Sequence, residues 1–407
     1  MKSIKGNQYN IWWGPPKKFS TDFKERKISW LELFYDLVYV IVISRTTSHL
    51  LTYPGADGIL DYLLFFFMIF WGWINGSMYH DLHGSQGIRT RLMTLWQMLA
   101  VAALAVTMST PTSLFIPKII FALIFLQGYI TYLWWSVGIY DKNHRILNRP
   151  YTLCYLAALF LIIATLFVQQ PYKRILFCGV LALNYLPPFV VSPLFAKRDL
   201  NLKLSSSMVE RLGLFTIIVF GEAILGVING TGEVAILSSH VWTCFALGIL
   251  IMFELWWVFF ALIADREIKS GFLKGQVMSL LYIPAMATLG IVGASFSELI
   301  MKLDNVGEDH LFLKLLFGIS LSLFLLSTLA ISLFLQYPKS YELSKKKVKI
   351  LFISSAFFIL LLTFFFEKLD LIHYLELIFC ILFIIIFTFT RIWFKVELKQ
   401  MDKKEVQ

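Results

Sequence analysis

Of the 407 residues, 58% are hydrophobic and 16% aromatic, and only 15% are charged. A soluble domain carries about 25% charged residues, so a chain this apolar cannot cover its surface in water and must face lipid. The net charge of +10 would raise nucleic acid as a partner for a soluble protein. Here Lys and Arg collect in short loops between apolar blocks, the pattern that sets membrane topology, so the reading is no nucleic acid and a lipid bilayer as partner.

The chain opens on a polar, basic tail over 1–27 with no secretory leader, so the first apolar block is expected to act as its own insertion signal. Blocks of about 20 apolar residues, enough to cross a bilayer, then recur. They predict helices at about 29–51, 59–79, 92–110, 116–138, 151–169, 174–195, 208–228, 239–263, 276–296, 311–336, 348–366 and 371–394. Pro54-Gly55, Pro111, Pro150, Pro171, Asn229-Gly230 and Pro338 punctuate them. Pro187-Pro188 and Pro284 are expected to kink the sixth and ninth segments. Of the 36 Lys and Arg, 28 lie in the two tails and every second loop, six in the alternate loops and two, Arg45 and Arg211, within helices. That asymmetry predicts an all-α polytopic membrane protein of about twelve transmembrane helices, with both termini in the cytoplasm and the chain in the cell membrane.

The segments repeat. Ser29-Trp-Leu-Glu32 matches Ser207-Met-Val-Glu210, and Met68 and Trp73 match Met252 and Trp257, with Asp81 and Asp265 following. Met93, Leu95, Ala100, Ala102 and Leu104 match Met278, Leu280, Ala285, Ala287 and Leu289, and Lys118-Ile-Ile-Phe121 matches Lys314-Leu-Leu-Phe317. The organisation expected is a tail (1–27), two parallel six-helix repeats (28–200 and 201–395) and a second cytoplasmic tail (396–407).

Charges inside a membrane helix cost about 2.5–3.5 kcal/mol each at its centre, so each is a candidate for function. Glu32 and Glu210 each follow a serine by three residues and fit capping boxes. Asp36 lies one turn beyond Glu32 on nearly the same face, and the two carboxylates repel unless a cation or donor sits between them. Arg45 and His49 pair at i, i+4 near the far end of the same segment, where an arginine can snorkel. In the seventh segment Arg211 shares a face with Glu222 but lies about three turns away, too far for direct pairing. Glu222 and Glu254 lie deep in apolar sequence with no cap to explain them, and a carboxylate taken out of water there calls for a proton or a cation. Asp36, Glu222 and Glu254 are therefore the candidate transport or ion site, with hydrogen bonding to a neighbouring helix as the structural alternative for each.

Gly213, Gly221 and Gly226 would let another helix approach closely. Asn75, Gln97, Gln127 and Asn184 are weaker polar candidates, and the proline pair after Asn184 would leave broken backbone able to line a cavity. His80, Asp81 and His83 have metal-compatible spacing but read better as a solvated loop. The four cysteines lack metal-ligand spacing and read as small apolar residues, and Trp12-Trp13 and Trp134-Trp135 as interfacial anchors. No phosphate loop, nucleophile elbow or metalloprotease motif is present, which argues against an enzyme and against a cofactor or metal.

The segments Trp30-Leu-Glu-Leu-Phe-Tyr-Asp36-Leu-Val-Tyr-Val and Val209-Glu-Arg-Leu-Gly-Leu-Phe-Thr-Ile-Ile-Val-Phe-Gly-Glu222-Ala-Ile-Leu-Gly226 resemble the bacterial low temperature requirement protein A (LtrA) family. The resemblance covers nearly the whole chain and implies a multi-pass membrane protein linked to growth in the cold. Its motif positions fall here on Glu32, Asp36, Glu210, Arg211, Gly221 and Glu222. Phe34-Tyr35-Asp36 is also similar to the first helix of two-repeat potassium channels bearing a Phe-Ser-Asp motif, although Tyr35 replaces the serine and the seventh segment has no counterpart. The function expected is a transporter or channel for a cation, a proton or a small solute. The alternative is a non-transporting membrane protein, lipid-interacting, sensory or assembly-related, that supports growth in the cold.

Overall fold

A computed structural model describes residues 16–17, 28–53, 55–84, 87–109, 113–142, 145–197, 204–234, 236–303, 308–365 and 369–405. Trp12-Trp13, Pro54, Pro111, Lys368 and the N-terminal tail apart from residues 16–17 lie outside the described residues. The described residues are helical, with one isolated antiparallel bridge, Ile268 to Leu335. In chain order the helices are α1 (Trp30–Thr52), α2 (Ala56–His83), α3 (Ile88–Thr107), α4 (Pro117–Tyr140) and α5 (Arg145–Ala164). A 3-10 turn (Thr165–Phe167) leads to α6 (Tyr172–Tyr185) and α7 (Pro187–Lys197). Then come α8 (Ser206–Gly232), α9 (Ser239–Ile263), α10 (Phe272–Met301), α11 (Glu308–Ser332), α12 (Lys339–Phe365) and α13 (Leu371–Glu405).

Among the described residues eleven helical passages, with α6 and α7 forming one of them, are long and apolar enough to cross a membrane. The expected twelfth is α1, which has the length but not the apolarity. Its 23 residues rise about 34 Å, while Glu32, Asp36, Arg45 and the polar run Thr46–His49 lower its mean hydropathy.

Local chemistry explains most boundaries. Ser29 caps α1, and Glu32 reaches back to the Ser29 amide to complete a capping box. Pro117 opens α4 at a position whose amide needs no partner. The sixth passage breaks at Leu186, where Pro187 and Pro188 remove two consecutive donors. Pro284, by contrast, lies inside an uninterrupted α10, and Asn229-Gly230 inside α8. Helix ends extend past the apolar blocks: α5 starts at Arg145 and includes Pro150, α12 starts at Lys339, and α13 runs to Glu405 through the residues expected to form a tail. Hydropathy marks where lipid ends, whereas Lys and Glu remain good helix formers in water and carry the helices outward.

The chain divides into two compact units, Met1–Phe215 with Ser270–Gln276, and Thr216–Lys269 with Val277–Gln407. In the first unit α1 packs on α2 and α3, α4 on α3 and α5, and α6 on α5 and α2. Its central helix is α2, where Phe65, Phe66, Met68, Ile69, Phe70, Trp71 and Trp73 are all buried, so its whole circumference is apolar and covered. In the second unit α13 packs on α9 and α12, and α12 on α11.

Within the second unit α8 crosses α10 on small residues. A Cβ at Gly230 would lie 2.6 Å from the Ser297 backbone, one at Gly226 2.9 Å from the Gly293 carbonyl, and one at Gly293 2.5 Å from Ala223 Cα. Backbone meets backbone here, the small-xxx-small packing of membrane helices. Gly226 was legible as such a contact. Gly221, expected to be another, is exposed, with nothing within 4 Å of an added Cβ. Gly230→Ala should lower the melting temperature of the detergent-solubilised chain, at a cost of about 1–3 kcal/mol, while Gly221→Ala should leave it unchanged. Equal melting curves for the two variants would refute the crossing.

Candidate functional site

The first unit brings Glu32, Asp36 and Arg211 together. Asp36 sits on the second turn of α1 with none of its surface exposed, and Arg211, on the second turn of α8, is 1% exposed. Arg211 Nη2 donates to Asp36 Oδ1 at 2.5 Å and Nε to Oδ2 at 3.4 Å, a two-pronged, charge-assisted contact between residues 175 positions apart. Trp73 of α2 donates its indole N–H to the same Oδ1 at 2.7 Å. Glu32 Oε1 lies 3.8 Å from Arg211 Nη1, while its Oε2 accepts the Ser29 amide and hydroxyl at 2.9 Å each. The cation needed to relieve the Glu32–Asp36 repulsion is Arg211. Its guanidinium also lies 5.4 Å from the centre of the Tyr35 ring and 6.0 Å from that of Trp73, close enough for both π-faces to contribute.

A neutral network supports the pair. Tyr35 donates its hydroxyl to the Trp73 carbonyl at 3.2 Å, and Gln97 Nε2 donates to the Tyr35 and Tyr39 hydroxyls at 2.9 Å each. Gly76 leaves room for it, since a Cβ there would lie 2.1 Å from the Tyr35 hydroxyl.

The start of α8 is held a second time in the same unit. Ser205 and Ser207 donate their hydroxyls to the two Asp81 oxygens at 2.5 Å each. The expected Ser207–Glu210 capping box is therefore corrected: Ser205 Oγ accepts the Met208 amide as the cap, Ser207 is turned to Asp81, and Glu210 is exposed. The expected solvated loop at 80–83 is also corrected. His80 and His83 are buried in the last turn of α2; His80 bonds Thr94, and His83 meets the Lys17 carbonyl at 2.9 Å.

The weaker polar candidates form a second network in this unit. Gln127 and Asn184 exchange amide hydrogen bonds at 2.9 and 3.0 Å, and Tyr155 donates its hydroxyl to Asn75 Oδ1 at 2.5 Å. Pro188 has no N–H to give to the Asn184 carbonyl one turn back, and Trp71 supplies its indole N–H there at 3.0 Å instead. The backbone freed by the proline pair is thus satisfied by another helix.

Of the remaining candidates, Arg45 is exposed on α1, and His49 is buried with its ring 4.8 Å from that of Tyr53. Glu222 and Glu254 belong to the second unit. Glu222 is half-buried on α8. Glu254 is 4% exposed in the middle of α9, and among the described residues neither of its carboxylate oxygens has a hydrogen-bond partner. Of the residues matched in sequence between the two halves, Met68 and Met252 are both fully buried, whereas Trp73 is fully buried and bonded to Asp36 and Trp257 is 40% exposed.

In the first unit Asp36 and Arg211 already satisfy each other, so the pair fixes geometry; in the second unit neither Glu254 oxygen is hydrogen-bonded among the described residues. Trp73→Phe keeps the ring but removes the donor to Asp36. It should destabilise the chain by about 1.5–3 kcal/mol, the worth of a hydrogen bond to a charged group, read by thermal unfolding in detergent. An unchanged melting temperature would contradict the geometry.

Residues 27–401 match the family model described as bacterial low temperature requirement A protein (LtrA). Both motif stretches fall inside that match, and the Asp36–Arg211 pair joins one to the other. No curated protein matches the chain.

Proposed function

The chain belongs to the bacterial low temperature requirement A family, and from that premise we propose that it is a non-enzymatic membrane carrier or channel for a cation, a proton or a small solute. It is built as two parallel six-helix halves in the cell membrane, with both termini in the cytoplasm. The observation that carries the reading is Glu254, a carboxylate buried within an apolar span and without a hydrogen-bond partner among the described residues. An isolated charge in such a place is costly, so the residue carries a proton or meets a passing cation. Glu222, half-buried on α8, is the second acid assigned to conduction.

A non-transporting role, in membrane assembly or sensing, is the second reading. It is favoured by Asp36, whose oxygens are taken up by Arg211 and Trp73 and leave no vacancy for cargo. Proteoliposomes holding the full chain, assayed under proton, alkali-cation and small-solute gradients, separate the two. Glu254→Gln should reduce coupled flux by an order of magnitude while the protein keeps its melting temperature. Folded wild-type protein that conducts nothing under any of these gradients would sink the transport reading.

A further inference from the structure

In the second unit the loop after α9 and the loop before α12 are tied into a short antiparallel pair. Gln336 N–H donates to the Glu267 carbonyl at 2.8 Å, Lys269 N–H to the Phe334 carbonyl at 2.9 Å, and the Tyr337 hydroxyl to the Leu262 carbonyl at 2.8 Å. This brace fixes Arg266, whose guanidinium lies 4.0 Å from the centre of the Trp393 ring on α13 and 5.6 Å from that of Tyr337. Stacked in this way, Arg266 forms no ion pair among the described residues, and its Nε is buried without a hydrogen-bond partner. The adjacent acids, Asp265 and Glu267, are exposed and do not neutralise it.

More positive charge surrounds the platform. Tyr341 packs on Trp393 with ring centres 5.9 Å apart, and Lys345 and Lys349 follow Tyr341 at i+4 and i+8 along one face of α12. Three apolar spans end at this cluster: Ser239–Ile263 stops three residues before Arg266, Ser344–Phe365 starts beside Lys345, and Leu371–Lys395 finishes just past Trp393. The cluster therefore sits at headgroup depth, where aromatic rings and basic side chains collect.

Topology alone accounts for exposed lysines at such a rim. It does not account for an arginine held between two tied loops with its guanidinium 4.0 Å from the centre of an indole ring. We propose that Arg266, with Lys345 and Lys349 along the face of α12 that carries Tyr341, forms a binding site for the phosphate of an anionic phospholipid, Trp393 and the exposed Phe394 lying against its glycerol and upper acyl chain.

The test is the thermal stability of the purified full chain in mixed micelles, titrated with phosphatidylglycerol, with phosphatidylcholine, or with inorganic phosphate alone. Phosphatidylglycerol should raise the melting temperature saturably, and the other two should not. Arg266→Gln should raise the half-saturating phosphatidylglycerol concentration about fivefold, in line with one basic contact at a charged membrane surface. Arg266→Lys should fall between the two, because it keeps charge but loses the planar donor. Lys349→Gln, outside the ring stack, should also weaken the response, which keeps the test decisive if Arg266→Gln folds poorly. An equal response to phosphatidylcholine, or an unaltered phosphatidylglycerol response in both glutamine variants, would overturn the proposal. Inorganic phosphate reproducing the whole effect would overturn it in favour of a small-anion site.

Discussion

A guanidinium cannot be buried without its counter-charge, and in the first unit that rule governs where α8 begins. Arg211 is almost fully enclosed, and the acid that compensates it lies 175 residues away on α1. Isolated, either charge would carry a desolvation cost of several kcal/mol. Paired through two donors, with an indole N–H on the same oxygen and two aromatic faces beside the cation, they fix α1, α2 and the start of α8 in one geometry. Glu32 serves twice, capping α1 through one oxygen and facing Arg211 with the other. The Asp81 bonds to Ser205 and Ser207 hold the same helix start from the side of α2.

The rest of the first unit obeys the same requirement with neutral groups. Away from water a freed carbonyl or a side-chain amide needs a partner from another helix. Trp71 answers the carbonyl that Pro188 leaves open, Gln127 and Asn184 answer each other, and Gln97 gathers the two tyrosines beside the ion pair. Against that background Glu254 stands apart, because its helix offers it no such partner among the described residues. The contrast separates the residues that hold the first unit together from the acid on which the transport proposal rests.

The sequence was most informative where physics is local. Apolar blocks located the helices, the Ser29–Glu32 spacing announced a true capping box, and the proline pair announced the break at Leu186. It was less informative where chemistry depends on a distant partner. The Glu32–Asp36 spacing demanded a cation, but nothing local could name Arg211, and Glu222, the acid on Arg211's own helix face, lies about three turns away, too far to pair with it. The Ser207–Glu210 spacing looked like the first cap, yet Asp81 captures Ser207 and the cap moves to Ser205. Hydropathy also misjudged helix ends, since it senses lipid and not hydrogen bonding, and α13 continues well past its apolar block.

The central claim is that Asp36 and Arg211 act as one unit. A double-mutant cycle on Asp36→Asn and Arg211→Gln, read by reversible unfolding of the full chain in detergent, tests it most directly. Each single change should destabilise strongly, because it strands a buried charge or donor. The double variant should be less destabilised than the sum, with a coupling energy of about 2–3 kcal/mol. Losses that add to within about 0.5 kcal/mol would show that the two residues do not depend on each other, and would contradict the account.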